Sequence, residues 1–132
     1  MPTLIPADVE TLLKQELSRE AQNVYLPPLP DELSDGDLPC VLVTRTGGRR
    51  TSPVVDAHEV RVDVLAETHA EASTLASELV GLVAALPDGA GATTGWRSVD
   101  ITKLPYENPD DQRASVERVS FEATLSRRAE QH

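Results

Sequence analysis

The sequence predicts an α+β fold in which one mainly antiparallel (mixed) five-stranded sheet is packed with two helices, in the order α-β-β-β-α-β-β. Three observations predict it. Apolar residues recur at helical spacing in two segments, they alternate with polar residues at a period of two elsewhere, and 132 residues leave room for one core. A single domain over 1–132 without internal repeats is expected.

The first helix is read over Ala7–Gln22, started by Pro6 and Asp8. Val9, Leu12, Leu13 and Leu17 share one side, and Asp8, Glu10, Lys14, Gln15 and Ser18 take the other. After Val24 the pattern dissolves into a Pro-rich acidic stretch, 25–39, carrying Pro27, Pro28, Pro30 and Pro39 among Asp31, Glu32, Asp35 and Asp37. Proline removes the backbone donors that a helix or ladder needs, so this stretch reads as an extended arm or long loop.

Strand signals begin at Cys40. The run Cys40–Thr46 is rich in β-branched residues, Gly47 and Gly48 read as a hairpin turn, and Ser52–Asp56 follows as a second strand. In the third, Val60–Ala66, Val60, Val62 and Val64 alternate with Arg61, Asp63 and Leu65, as in a strand with one drier face. The three form an antiparallel meander on this reading. Thr68 and Glu71 have capping-box spacing, and Leu75, Leu79, Leu82, Val83 and Leu86 behind them mark the second helix, which stops at Pro87. Gly89, Gly91 and Gly95 make the next stretch a loop. Trp96–Lys103 reads as a strand, Leu104–Arg113 as a polar loop, and Ser115–Leu125 as a closing strand with Val119, Phe121, Ala123 and Leu125 on one face.

Composition excludes several function classes. Twelve Lys plus Arg against 22 Asp plus Glu give a net charge of −10, the wrong sign for a surface that grips phosphate throughout. Aromatic residues make up 3% of the chain, too few for base-stacking platforms. No apolar run approaches the ~18 residues of a bilayer span. Met1–Ile5 lack the basic and apolar regions of a leader, so neither membrane insertion nor secretion is expected. The lone Cys40 excludes an internal disulfide, points to a reducing compartment, and reads as a buried strand residue.

The inventory for chemistry is short. Asp56 and His58 stand two apart on a strand, and Asp63 would complete three ligands of a small metal-dependent nuclease. Against this, no second His or Cys completes a usual set, and a solvated turn between strands is the competing reading. His69 falls in the first turn of the second helix and reads as solvent-facing. The Gly47, Gly48, Arg49, Arg50 stretch lacks the Lys-Ser/Thr ending of a phosphate loop and joins two strands, so it reads as a hairpin tip. No catalytic residue, metal or cofactor is assigned, and the chain is expected not to be an enzyme.

Charge placement says more. Arg45, Arg49 and Arg50 cluster at the hairpin and Arg127 and Arg128 follow the last strand, whereas acid collects in the arm and the late loop. Opposite charges on separate protrusions suit docking between identical subunits. The candidate interface therefore comprises these five arginines, the arm leucines Leu26, Leu29 and Leu33, and Tyr106 of the late loop.

Over nearly its whole length the order of these features resembles the tail terminator (tail completion) proteins of long-tailed phages, the actinobacteriophage type in particular. The resemblance is carried by the N-terminal helix, the arm from Leu26 to Pro30, Leu38–Val43, the Gly47–Arg50 hairpin and Ser52–Asp56. The strand Val60–Val64 running into an Ala/Glu-rich helix and the loop from Pro105 to Asn108 and Pro109 complete it. It implies a virion structural protein, assembled in the host cytoplasm. Its homo-oligomeric ring, typically a hexamer, caps the head-proximal end of the tail tube, stops tube polymerisation and joins the tail to a head-completion or neck protein. DNA would pass through the bore without sequence-specific binding, and six copies of −10 would supply on the order of sixty negative charges to keep it from sticking. Another neck protein, a head-closure or head-to-tail adaptor, remains open as an alternative.

Overall fold

The valine alternation at 60, 62 and 64 sets the centre of the sheet. In the computed structural model, which describes residues 3–88, 95–113 and 115–131, these three side chains are almost wholly buried. Their strand, β4 (Val55–Ala66), pairs antiparallel with β3 (Cys40–Arg50) on one side and with β6 (Glu117–Arg128) on the other. β5 (Trp96–Glu107) pairs antiparallel with β6 at one edge. At the other edge β2 (Val24–Tyr25) pairs parallel with β3, through Val24 with Val41 and Tyr25 with Leu42. The order β2-β3-β4-β6-β5 is the predicted five-stranded mixed sheet. β1 (Leu4–Ile5) and β7 (Glu130–Gln131) add a separate antiparallel pair.

Both helices cover one face. α1 (Val9–Leu17) is capped by Asp8, whose carboxylate accepts from the Thr11 amide, and it buries Val9, Leu13 and Leu17. It is shorter than the 7–22 segment read from periodicity, because the chain turns at Ser18–Glu20 to reach β2. α2 (His69–Ala84) starts at the predicted cap, with the Thr68 hydroxyl accepting from the Glu71 amide at 3.2 Å, and buries Ala72, Ala76, Leu79 and Val83. Against them the sheet presents Val41, Val43, Val60, Val62, Val64, Phe121 and Leu125. Among the described residues no helix is long and apolar enough to cross a membrane.

Several strand assignments differ from the sequence reading: Tyr25 of the arm enters β2, β5 runs on through Glu107, and β6 runs on through Arg128, so Arg127 and Arg128 lie within the last long strand and do not follow it. The runs at 52–56 and 60–66 are not separate strands of a meander; Val55 and Asp56 of the first and all of the second belong to one continuous β4. The hairpin turn falls at 51–54, where the Ser52 hydroxyl accepts from the amides of Val54 and Val55 at 3.3 and 3.1 Å. Gly47 and Gly48 lie inside β3, opposite Glu59 and His58, just past an irregularity in register after Arg45. Gly48 has φ +143°, and a Cβ there would lie 2.3 Å from the Ala57 carbonyl oxygen. The glycine serves close strand approach at a bulge and makes no turn.

The 25–39 segment contributes Tyr25 to β2 and one 3₁₀ turn, Asp35–Asp37. It is tied down as a strap. Asn23 Nδ2 donates to the Asp37 carbonyl at 3.1 Å, the Ser34 amide and hydroxyl donate to the Asp37 carboxylate, and Arg113 Nη2 donates to the Pro30 carbonyl at 2.7 Å. Of the glycine loop, Gly89 and Gly91 lie outside the described residues.

Candidate functional site

Strand register sorts charge along the sheet. β3 and β6 bring Arg49, Arg50, Arg127 and Arg128 to the hairpin end, and Arg97 joins them from the start of β5. Their strand acids there are Asp56 and Glu130. At the far end stand Glu67, Glu107 and Glu117, next to Asp110, Asp111 and the strap acids Asp31 and Glu32. Eleven steps of about 3.3 Å along β4 separate the two ends by roughly 36 Å. The arginines at the acidic end are occupied internally: Arg113 pairs with Asp110 at 2.9 Å, and Arg118 donates to the carbonyl of Asn108.

At the hairpin end the helix-side face holds a cavity of about 190 Å³ bordered by Arg45, Arg49, Arg50, Asp56, His58 and Pro6, among others. Arg50 grips the Asp56 carboxylate in a fork, with Nε and Nη2 at 2.7 and 3.2 Å from its two oxygens. This donation holds the Asp56 carboxyl below its ordinary range. Arg45 and Arg49 are exposed and have no ion pair within 4 Å among the described residues. His58 is 1% exposed, and neither ring nitrogen has a hydrogen-bond partner. Next along this face, the Arg127 guanidinium lies 4.9 Å from the centre of the buried Trp96 ring, a cation–π contact. Arg127 Nη1 and Trp96 Nε1 are likewise buried without partners.

Burial, reinforced by the charges of Arg45 and Arg127 and opposed by Asp56, lowers the His58 pKa. The folded chain therefore resists a proton that the unfolded chain accepts near pH 6.5. Stability is fully present above that pH and falls as pH drops below it, by at most about 1.4 kcal/mol per pH unit. Urea unfolding between about pH 7 and 5 should show this slope, and His58→Gln should flatten it. Asp56 and Glu122, both depressed carboxylates, titrate below this window.

The predicted interface residues separate in space. Arg45, Arg49, Arg50, Arg127 and Arg128 gather at or towards the hairpin end. Leu26, Leu29 and Leu33 are half-buried in the strap at the other, and Leu26 rests on the core. Tyr106 is not a free loop residue but part of β5. Its hydroxyl donates to Glu122 Oε2 at 2.6 Å, and burial with this bond raises it to about 12. Arg50 is committed to Asp56, so it is less available than its neighbours to a partner.

The three residues weighed for a metal do not converge. Asp56 and His58 point to the helix side of β4, whereas Asp63, at odd parity, points to the other. There Asp63 accepts from Ser120 Oγ and pairs with Arg61 Nε at 3.1 Å. His58 is a buried strand residue and not part of a solvated turn; its even parity with Val60, Val62 and Val64 was the signal for this. A different set, His69, Glu107 and Glu117, brings ligand atoms within 4.8 Å of one another at the acidic end, and all three residues are exposed. Cys40 is fully buried, and burial pushes its thiol up to about 11, far from a reactive thiolate.

Sequence reasoning missed the buried Asp63–Ser120 pair and the Trp96–Arg127 contact, since both join strands whose register no local pattern specifies. Compared with known protein families and with curated proteins, the chain matches none.

Proposed function

We propose that this chain is the subunit of a phage tail terminator. It is a structural virion protein whose ring, hexameric by the resemblance, caps the head-proximal end of the tail tube, halts its polymerisation and joins it to a neck protein. The observation that carries this reading is the placement of opposite charge at opposite ends of one sheet. A subunit whose basic end fits the acidic end of the next makes a heterologous contact, and such contacts close into rings when the rotation between neighbours allows. Surplus acid then remains for the bore, where like charge lets DNA slide without sticking.

Electron microscopy of purified protein mixed with growing tail tubes tests the reading. Tubes capped at one end and of limited length are expected; uncapped tubes that keep growing would overturn it. Arg49→Glu with Arg128→Glu should weaken capping while leaving the unfolding midpoint nearly unchanged, because exposed charges of this kind contribute about 0–1 kcal/mol each to stability. Arg50 is left out of this variant because reversing it would leave buried Asp56 facing a like charge.

A further inference from the structure

We infer that the cavity at the hairpin end is an oxyanion site, taking one carboxylate or phosphate group. Its border carries Arg45, which shares the His58 face of the sheet and is free of ion pairs among the described residues, and Arg50, whose charge Asp56 already balances; Arg49 stands opposite Ala57, on the other face. A cation would meet this surplus of positive charge; an oxyanion is attracted by it. His58 supplies the second, independent sign. It is buried, borders the same cavity, and leaves both ring nitrogens unpartnered, although buried polar groups are normally hydrogen-bonded. An N–H of this ring and the Arg45 fork together form a mixed donor set of the kind that holds planar or tetrahedral oxyanions.

Gly48 lines the cavity, and a side chain there would run into the β4 backbone at Ala57. This gives the Gly48–Arg50 stretch a role unlike that of a nucleotide loop. It opens no helix and offers no lysine for a chain of phosphates, and its small cavity suits a single acidic group. Two sources supply that chemistry: a free oxyanion such as phosphate, and a carboxylate from the acidic end of a second copy. The second rests on the ring reading and the first does not.

Long-range ¹H–¹⁵N spectra of the full chain follow the His58 ring directly. Titration with inorganic phosphate and with acetate tests the free ion, and a protein dilution series without added anion tests the second copy. Saturable movement of the His58 signals in either arm is expected. Arg45→Gln should weaken the response by at least about tenfold, the loss of one charged hydrogen bond. Movement on phosphate addition at concentrations where the protein is monomeric assigns a free-ion site even if no ring forms. Movement on dilution alone assigns the partner's carboxylate. His58 signals unmoved in both arms, or an Arg45→Gln chain that responds like the parent, would overturn the proposal. His58→Leu keeps an apolar filler at the same place and should abolish any phosphate-dependent rise in melting temperature. The persistence of that rise would also count against the site.

Discussion

Gly48→Ala is expected to destabilise the protein by roughly 2–6 kcal/mol, adding about 1–3 for a side chain in a glycine-only backbone region to about 1–3 for overpacking. The added Cβ would stand 2.3 Å from the Ala57 carbonyl oxygen and 3.1 Å from the His58 Cα, both backbone atoms of β4, so no rotamer relieves the contact. The strands must part or φ must leave +143°, and either disturbs the ladder that brings Arg49 and Arg50 to the end of the sheet. Against a typical total of about 5–15 kcal/mol, the loss is enough to lower the population of folded chain visibly. Gly47→Ala is the control. Its Cβ would meet only the Glu59 Oε2, at 3.1 Å, the free end of a flexible side chain. Urea unfolding of the two variants should differ by well over 1 kcal/mol, and equal midpoints would refute the assignment of Gly48 to close strand approach.

Phe121→Ala is expected to cost about 3–5 kcal/mol. Phe121 is the single phenylalanine of the chain, is fully buried, and stands opposite Val62 at the centre of the sheet. The rest of the core is mostly Val, Leu and Ala, so no neighbour is large enough to collapse into the space its ring leaves. Phe121→Leu should retain most of the stability, with a loss under about 1.5 kcal/mol. Leu104→Ala, at a site 70% exposed, should stay within about 0.5 kcal/mol of the parent. If Phe121→Ala unfolds no more easily than Leu104→Ala, the helix-covered face is not the core.

What the sequence reveals of this fold is whatever depends on local periodicity. The Thr68 cap, the buried faces of both helices and the inward set Val119, Phe121, Ala123 and Leu125 all follow from spacing within one segment. The errors arise where two segments decide together. The double glycine resembles a turn when taken alone, but the register of β3 against β4 places it inside a strand, and the true turn is made by the Ser52 hydroxyl. His58 resembles a polar loop residue until β4 is recognised as continuous, after which its parity with Val60 places it inside. The arginine cluster was legible as a cluster. Its alignment with Arg127 and Arg128, and its opposition to Glu107 and Glu117 across the sheet, depend on the pairing of β4 with β6, which joins residues more than fifty positions apart and has no signature within either strand.

The measurement that bears most directly on head-to-tail assembly is sedimentation velocity of the intact protein at two ionic strengths. At about 0.1 M salt, where the Debye length is ~10 Å, one discrete closed oligomer is expected, six subunits by the resemblance. Near 1 M salt, with screening over ~3 Å, it should dissociate substantially, and Arg49→Glu with Arg128→Glu should reproduce that dissociation at low salt. A monomer at every concentration and salt, or an oligomer indifferent to both salt and charge reversal, would contradict assembly through the opposed ends of the sheet.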